Sequence, residues 1–270
     1  MDWTRIMVPV SGGGADTRLI GAGMALAEPF GAQLVCVHTP ADVADLAPWM
    51  GDGFMGGVQA SVVESIRAAA SESESAARAT FAACPYVAKS FLALKSPIWT
   101  ALAVEGRLSD VLVFGDEAAR GTGPLSEAFR QIVADEQRPT IVVRPGFKLG
   151  GVVAVAWDGG KEASRALRTA QPLLARASEV VVLAAPGAGS RKFDPARVVE
   201  FLAARDIKSR LQILPQTTDI GPALVQAAKT LGASIMVAGA FGHPRLQEFI
   251  FGGATRAFLH ADGPSLWLSH

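Results

Sequence analysis

The sequence predicts an α/β fold of two tandem domains, each an open parallel sheet with helices on both faces, and three observations predict it. Apolar runs of strand length alternate with stretches whose apolar residues recur at helical spacing. The runs are apolar throughout, as expected of parallel strands covered on both faces. The whole pattern occurs twice along the chain.

The first copy opens with residues 6–10 (IMVPV) running into Ser11, Gly12 and Gly13, and the second with residues 153–157 (VAVAW) running into Asp158, Gly159 and Gly160. A helical pattern follows each, with Leu19, Met24 and Leu26 on its apolar face in one copy and Ala166, Leu167, Leu173 and Leu174 in the other. Second strands come next, at residues 34–38 (LVCVH) and 180–183 (VVVL). The first copy then carries extra material at 41–57, of which 48–57 reads as a mobile loop, and a long helix over 62–81. The run Ser71, Glu72, Ser73, Glu74, Ser75 is expected on the solvated face of that helix. Later strands fall at 111–115 and 234–239, and each copy closes on a proline-led strand, 139–143 and 264–268. Residues 144–151 have linker composition, which divides the chain into domains 1–146 and 151–270.

Composition narrows the function classes. The chain has 270 residues, half of them hydrophobic, 19% charged, and Lys+Arg and Asp+Glu balance at 25 each. No bulk positive field exists to gather phosphate backbones, so nucleic acid is not an expected partner. The longest apolar runs, such as 180–186, fall far short of the roughly 20 residues that span a bilayer, so no membrane partner is expected either. Two cysteines, Cys36 and Cys84, are too few for a disulfide framework, and the opening residues show no export signal, which together predict a cytoplasmic protein. None of His38, His243, His260 and His270 has a partner at metal-binding spacing, so no metal site of the chain's own is expected. Neither a Gly-x-Ser-x-Gly elbow nor a Walker loop is present, and no catalytic residue stands out.

In open parallel sheets ligands bind at the carboxyl ends of the strands. There the second copy runs Gly239, Ala240, Phe241, Gly242, His243, and on to Gly252 and Gly253 before a probable helix over 254–259. Glycines let a backbone approach an anion closely, and the amides of a helix N-terminus face it with positive partial charge.

The spacing of Gly239, Gly242 and Gly252, with its strand before and helix after, is similar to the nucleotide-phosphate motif of the universal stress protein family. Strand order and the proline-led last strands extend the resemblance over nearly the whole chain, which resembles a tandem universal stress protein with the adenine-nucleotide alpha-hydrolase-like fold. The resemblance implies an ATP or other adenine-nucleotide site, with magnesium on the phosphates, in the second domain. Gly239, Gly242, Gly252 and Gly253 would surround the phosphates, Asp158 would stand beside the adenosine and Ala185 near the adenine. His243, Ala254 and Thr255 adjoin the phosphates, with Arg245 and Arg256 as further sources of positive charge.

The sequence departs from the family at Gly253, where ATP-binding members carry Ser or Thr; Thr255 offers a hydroxyl nearby. The first copy departs further. It has Ser11 in place of an aspartate, Asp116 and Glu117 after the strand, Glu127 in the first helical turn, and Gly121 and Gly123 read as turn residues, so it is expected to be a degenerate partner domain. The implied function is a stress-response regulatory protein that binds adenine nucleotide, with the two halves forming an intramolecular pseudo-dimer through residues 140–143 and 266–268 and association of two chains left open. A module that binds protein rather than nucleotide, through residues 49–54, and a weak magnesium-dependent ATPase are the alternatives.

Overall fold

A computed structural model describes residues 2–40, 60–185, 194–240 and 253–270, with side chains in the second stretch from residue 63 onward. The chain divides into two compact units, Trp3–Ile132, and Val133–His270 together with Met1–Asp2.

The unit Trp3–Ile132 contains β1 (Arg5–Val10), α1 (Asp16–Ala27), β2 (Gln33–His38), α2 (Ala60–Ala83), β3 (Lys89–Ala93), α3 (Ile98–Gly106), β4 (Val111–Gly115), α4 (Asp116–Ala119) and the start of α5 (Ser126–Ala134). Its strands pair in the order β3-β2-β1-β4, all parallel. Ile6, Met7, Val8, Leu34, Val35, Leu112 and Phe114 are sealed from solvent, so the uninterrupted apolar runs are the inner strands of a sheet with two covered faces. The solvated face assigned to α2 holds for Ser71, Glu72 and Ser75, whereas Ser73 turns inward.

The second unit contains β5 (Thr140–Val143), β6 (Val152–Trp157), α6 (Lys161–Thr169), α7 (Gln171–Leu174), β7 (Glu179–Ala184), α8 (Ala196–Ala203), β8 (Ser209–Ile213), α9 (Ile220–Thr230), β9 (Ile235–Gly239), α10 (Gly253–His260) and β10 (Ser265–Ser269). The order is β5-β10-β9-β6-β7-β8, parallel except for the antiparallel pair of β5 with β10. One helical pattern in the sequence becomes two helices here. Pro172 lacks an N–H and its ring excludes the carbonyl four residues earlier, so α6 stops and α7 restarts after Ala170.

Two strands went unread in the sequence, β3 and β8. Both are edge strands whose residues are half-buried or exposed, so neither carries the long apolar run that marks the inner strands.

Arg144 lies just beyond β5, in a stretch whose composition is that of a linker, yet it is only 3% exposed. Its guanidinium donates to the carbonyls of Phe258 (2.8 Å) and Leu259 (3.0 Å) in the last turn of α10 and of Pro264 (3.0 Å) before β10. Its backbone N–H donates to Ser265 Oγ at 3.0 Å. A cation on the orphan carbonyls of a helix C-terminus satisfies both their hydrogen-bonding need and the negative end of the dipole. Arg144→Met would leave three buried carbonyls without donors; it is expected to cost on the order of 3 kcal/mol, read as a lower urea midpoint.

Candidate functional site

Within the second unit the chain order of the strands reverses between β6 and β9, and a crevice for ligand is expected at the carboxyl ends of those two strands. Asp158 follows β6 there, exposed, with Oδ1 accepting the N–H of Gly160 at 2.7 Å. That short turn needs Gly159 at φ +76 and delivers the chain into α6. Ala185, half-buried, follows β7, the neighbour of β6. The strand order therefore sets Asp158, Ala185 and the end of β9 along one edge of the sheet.

Gly239 ends β9 under a close approach of α6. A Cβ there would meet Ala163 N at 2.5 Å and Glu162 Cβ at 2.8 Å, so the packing of the first turn of α6 by itself requires a glycine. α10 runs back from the same carboxyl edge toward the start of β10. Gly253 begins it, exposed, with open space where a Cβ would stand; Ala254 is half-buried, and Thr255 is buried at 6% exposure. Gly242, His243, Gly252 and Arg245 lie outside the described residues, as does the loop 49–54. Arg256 is exposed on α10.

The corresponding edge of the unit Trp3–Ile132 is built differently. Asp16 is 1% exposed and its carboxylate accepts the N–H groups of Ser11 (3.2 Å) and Gly12 (2.8 Å), so the turn after β1 is closed on its own backbone. Gly12 has φ +77, and the backbone of Ser73 on α2 occupies the space a Cβ would need. His38, at the end of β2, is 1% exposed, with Nε2 3.2 Å from Ser73 Oγ. α2 thus lies across the ends of β1 and β2. His38 Nδ1 and Thr39 Oγ1 are buried without hydrogen bonds.

The carboxylates after β4 are matched by arginines. Asp116 pairs with Arg120 at 2.6 Å and Glu117 with Arg18 at 2.9 Å, while Glu127 in the first turn of α5 pairs with Arg130 and accepts from Gln131 Nε2. Gly121 and Gly123 have φ of +82 and +80, the backbone of turn residues. Among the described residues no group of three or more His, Cys, Asp and Glu could hold a metal ion, and no helix is long and apolar enough to cross a membrane.

No protein-family model matches the sequence, and no curated protein matches it. Solved structures do. A universal stress protein from Archaeoglobus fulgidus superposes with a TM-score of 0.63 at 14% identity, over 98% of this chain and 95% of that one. A functionally unknown protein from Pseudomonas aeruginosa PAO1 gives 0.56 at 13% identity, over 99% and 92%. The cytoplasmic domain of a prokaryotic cation chloride cotransporter gives 0.52 at 14% identity, over 98% and 95%. The chain has the fold of the universal stress proteins, along its whole length.

Burial holds the His38 pKa below its ordinary 6.5, against the opposing pull of Glu74 and Asp16; burial pushes the Asp16 carboxyl up, partly offset by its two amide donors. At His38 the unfolded chain takes up the proton first, so this contribution to stability is complete above about pH 6.5 and is lost as pH falls below it, at up to about 1.4 kcal/mol per pH unit. The raised Asp16 pKa works the other way, favouring the fold at acid pH. His38→Gln is expected to flatten the decline in stability between pH 6.5 and 5, measured by urea denaturation at each pH against the unaltered protein.

Proposed function

We propose that this chain binds ATP or a related adenine nucleotide, with magnesium on the phosphates, at the carboxyl edge of its second unit, and serves as a stress-response regulator whose output is the bound state. The observation that carries this reading is the start of α10. Gly253 begins α10, exposed and with no described atom within 4 Å of where its Cβ would stand, and the N-terminal amides of a helix attract an anion; Arg144 holds the opposite end. Asp158, exposed beside β6, supplies a carboxylate of the kind that accepts from ribose hydroxyls. The fold shared with the Archaeoglobus fulgidus universal stress protein supports the same reading.

The contrast between the two units supports placing the site in the second. In the first, Ser73 fills the space beside Gly12, and Glu127 already lies at the positive end of α5. Both cysteines are free thiols, and burial pushes that of Cys36 up to about 12, which favours the unreactive thiol and suits a reducing, cytoplasmic setting.

Titration calorimetry with ATP and magnesium tests the proposal, with saturable binding as the expected result. Asp158→Ala is expected to weaken it at least tenfold. Gly253→Ser adds a hydroxyl where the surroundings are open; one added hydrogen bond of about 0.5 to 1.5 kcal/mol is a gain of roughly 2- to 10-fold in affinity, with the melting temperature unchanged. No heat change with millimolar ATP in any of the three proteins would overturn nucleotide binding and favour a protein-interaction module.

A further inference from the structure

At the carboxyl edge of each unit the parallel register sets three residues side by side on one face of the sheet. In Trp3–Ile132 they are Val10, His38 and Ala93, across β1, β2 and β3. Val10 and His38 are sealed from solvent, and the 24-residue helix α2 reaches the row through Ser73, at His38. In the second unit they are Trp157, Ala184 and Ile213, across β6, β7 and β8. This row lies on the α6 side of the sheet: Val155, two residues before Trp157, shares a row with Val237 and Trp267, and the Trp267 indole donates to Thr169 of α6 at 3.2 Å. Right-handed crossovers from β6 to β7 and from β7 to β8 place α8 on the same face. α8 follows the second strand of its unit as α2 does, but has only 8 residues. Here the row is left open at its ends, with Trp157 half-buried and Ile213 61% exposed.

Ala184 contributes a single methyl between an indole and a branched aliphatic side chain. Neighbouring strands stand about 4.8 Å apart, so Trp157 and Ile213 flank Ala184 at roughly 10 Å from each other, the width of a fused two-ring system. The N–H of Leu214 donates to the carbonyl of Ala184 at 2.8 Å, which ties the end of β8 to β7 and fixes that spacing. Among the described residues, Ile213 is the only exposed large hydrophobic side chain of the second unit. None of the three side chains can accept a hydrogen bond, and only the indole N–H can donate one. Asp158 and Ala185 follow Trp157 and Ala184 directly, so the row adjoins the residues expected beside the adenosine.

We propose that Trp157, Ala184 and Ile213 form a stacking shelf for the base of the bound nucleotide and select it by ring area, taking either purine in preference to a pyrimidine. The inference rests on the nucleotide reading above and adds what the site asks of the base. A flat ring laid over Ala184 buries its area against the Trp157 indole and Ile213. Stacking on an aromatic side chain tolerates any base, because every base presents a π-face. Adenine and guanine differ in the groups at their edges, which these side chains have almost no means to read, whereas a single-ring pyrimidine covers less of the row. In the other unit His38 occupies the middle of the row and α2 reaches it, so no such shelf is open there.

The test is the affinity of the full chain for ATP, GTP, CTP, adenosine and inorganic tripolyphosphate, by calorimetry in magnesium, for the unaltered protein, Trp157→Ala, Trp157→Phe and Ile213→Ser. The unaltered protein is expected to bind ATP and GTP within threefold of each other and CTP at least tenfold more weakly. Trp157→Ala should weaken ATP and adenosine at least tenfold and leave tripolyphosphate unchanged, while Trp157→Phe, which keeps an aromatic face, stays within threefold of the unaltered protein. ATP should also change the tryptophan fluorescence, and that change should vanish in Trp157→Phe although four other tryptophans remain. Ile213→Ser, at an exposed position, should weaken ATP about threefold with the ligand-free melting temperature equal or higher, and it carries the comparison if Trp157→Ala does not fold. CTP bound as tightly as ATP, GTP bound more than tenfold more weakly than ATP, or ATP affinity unchanged in both Trp157→Ala and Ile213→Ser overturns the shelf and leaves nucleotide binding standing. No saturable binding of ATP, GTP or adenosine by any of the four proteins overturns both.

Discussion

The second unit depends on one buried cation. Arg144 gathers the end of β5, the last turn of α10 and the start of β10 around a single guanidinium, which donates to the backbone carbonyls of Phe258, Leu259 and Pro264. Helix ends and strand starts are where backbone groups lack regular partners, and burying them without donors is costly. Arg144 removes that cost at the C-terminal end of α10. The helix is then fixed at one end, and the opposite end, beginning at the open Gly253, is presented at the carboxyl edge of the sheet. The same residue donates its N–H to Ser265 Oγ, which helps to seat β10 beside β5 and β9.

From a common plan the two units have taken different routes at that edge. In Trp3–Ile132 the turn after β1 is satisfied internally by Asp16, roofed by α2 through Ser73, and its nearby carboxylates are held by Arg18, Arg120 and Arg130. Among the described residues, His38 Nδ1 and Thr39 Oγ1 beneath the roof and Gln131 Oε1 on α5 are buried without hydrogen bonds. In the second unit Asp158 remains exposed and Gly253 is exposed with open space among the described residues. The exposed carboxylate and the open helix start at a topological switch point are what the proposed nucleotide site rests on, whereas the carboxylates of the other edge are held by its own backbone and arginines.

The strand-end glycines carry a lesson about motifs. Gly239 belongs to a spacing that points to phosphate, yet the approach of Ala163 N and Glu162 Cβ would demand a glycine there with no ligand at all. Gly253 has no such neighbour among the described residues, whose packing gives no reason for its lack of a side chain. Within one motif, then, one glycine is accounted for by helix packing and another is not. Substitutions at Gly253 therefore test the proposed nucleotide site without disturbing that helix packing.

By itself the sequence determined the repeat, the alternation of strand and helix, the inner strands and the long helix α2. These follow from local pattern, because an uninterrupted apolar run and a helical apolar stripe each answer to burial of the segment that carries them. It also marked Asp158 and Gly253 as residues at strand and helix ends. The tertiary structure alone decided the rest. The edge strands β3 and β8 depend on a neighbour to pair with, and half-exposed residues give no periodic signal. Arg144 reads as linker and Ser73 as solvated surface, because a charge or a hydroxyl is polar wherever it sits in a sequence. Their roles come from partners 114 to 121 residues away for Arg144, and 35 residues away for Ser73 at His38. Glu162 is the same case: its burial, at 7% exposure, is set by what packs around it, and that is a property of the fold.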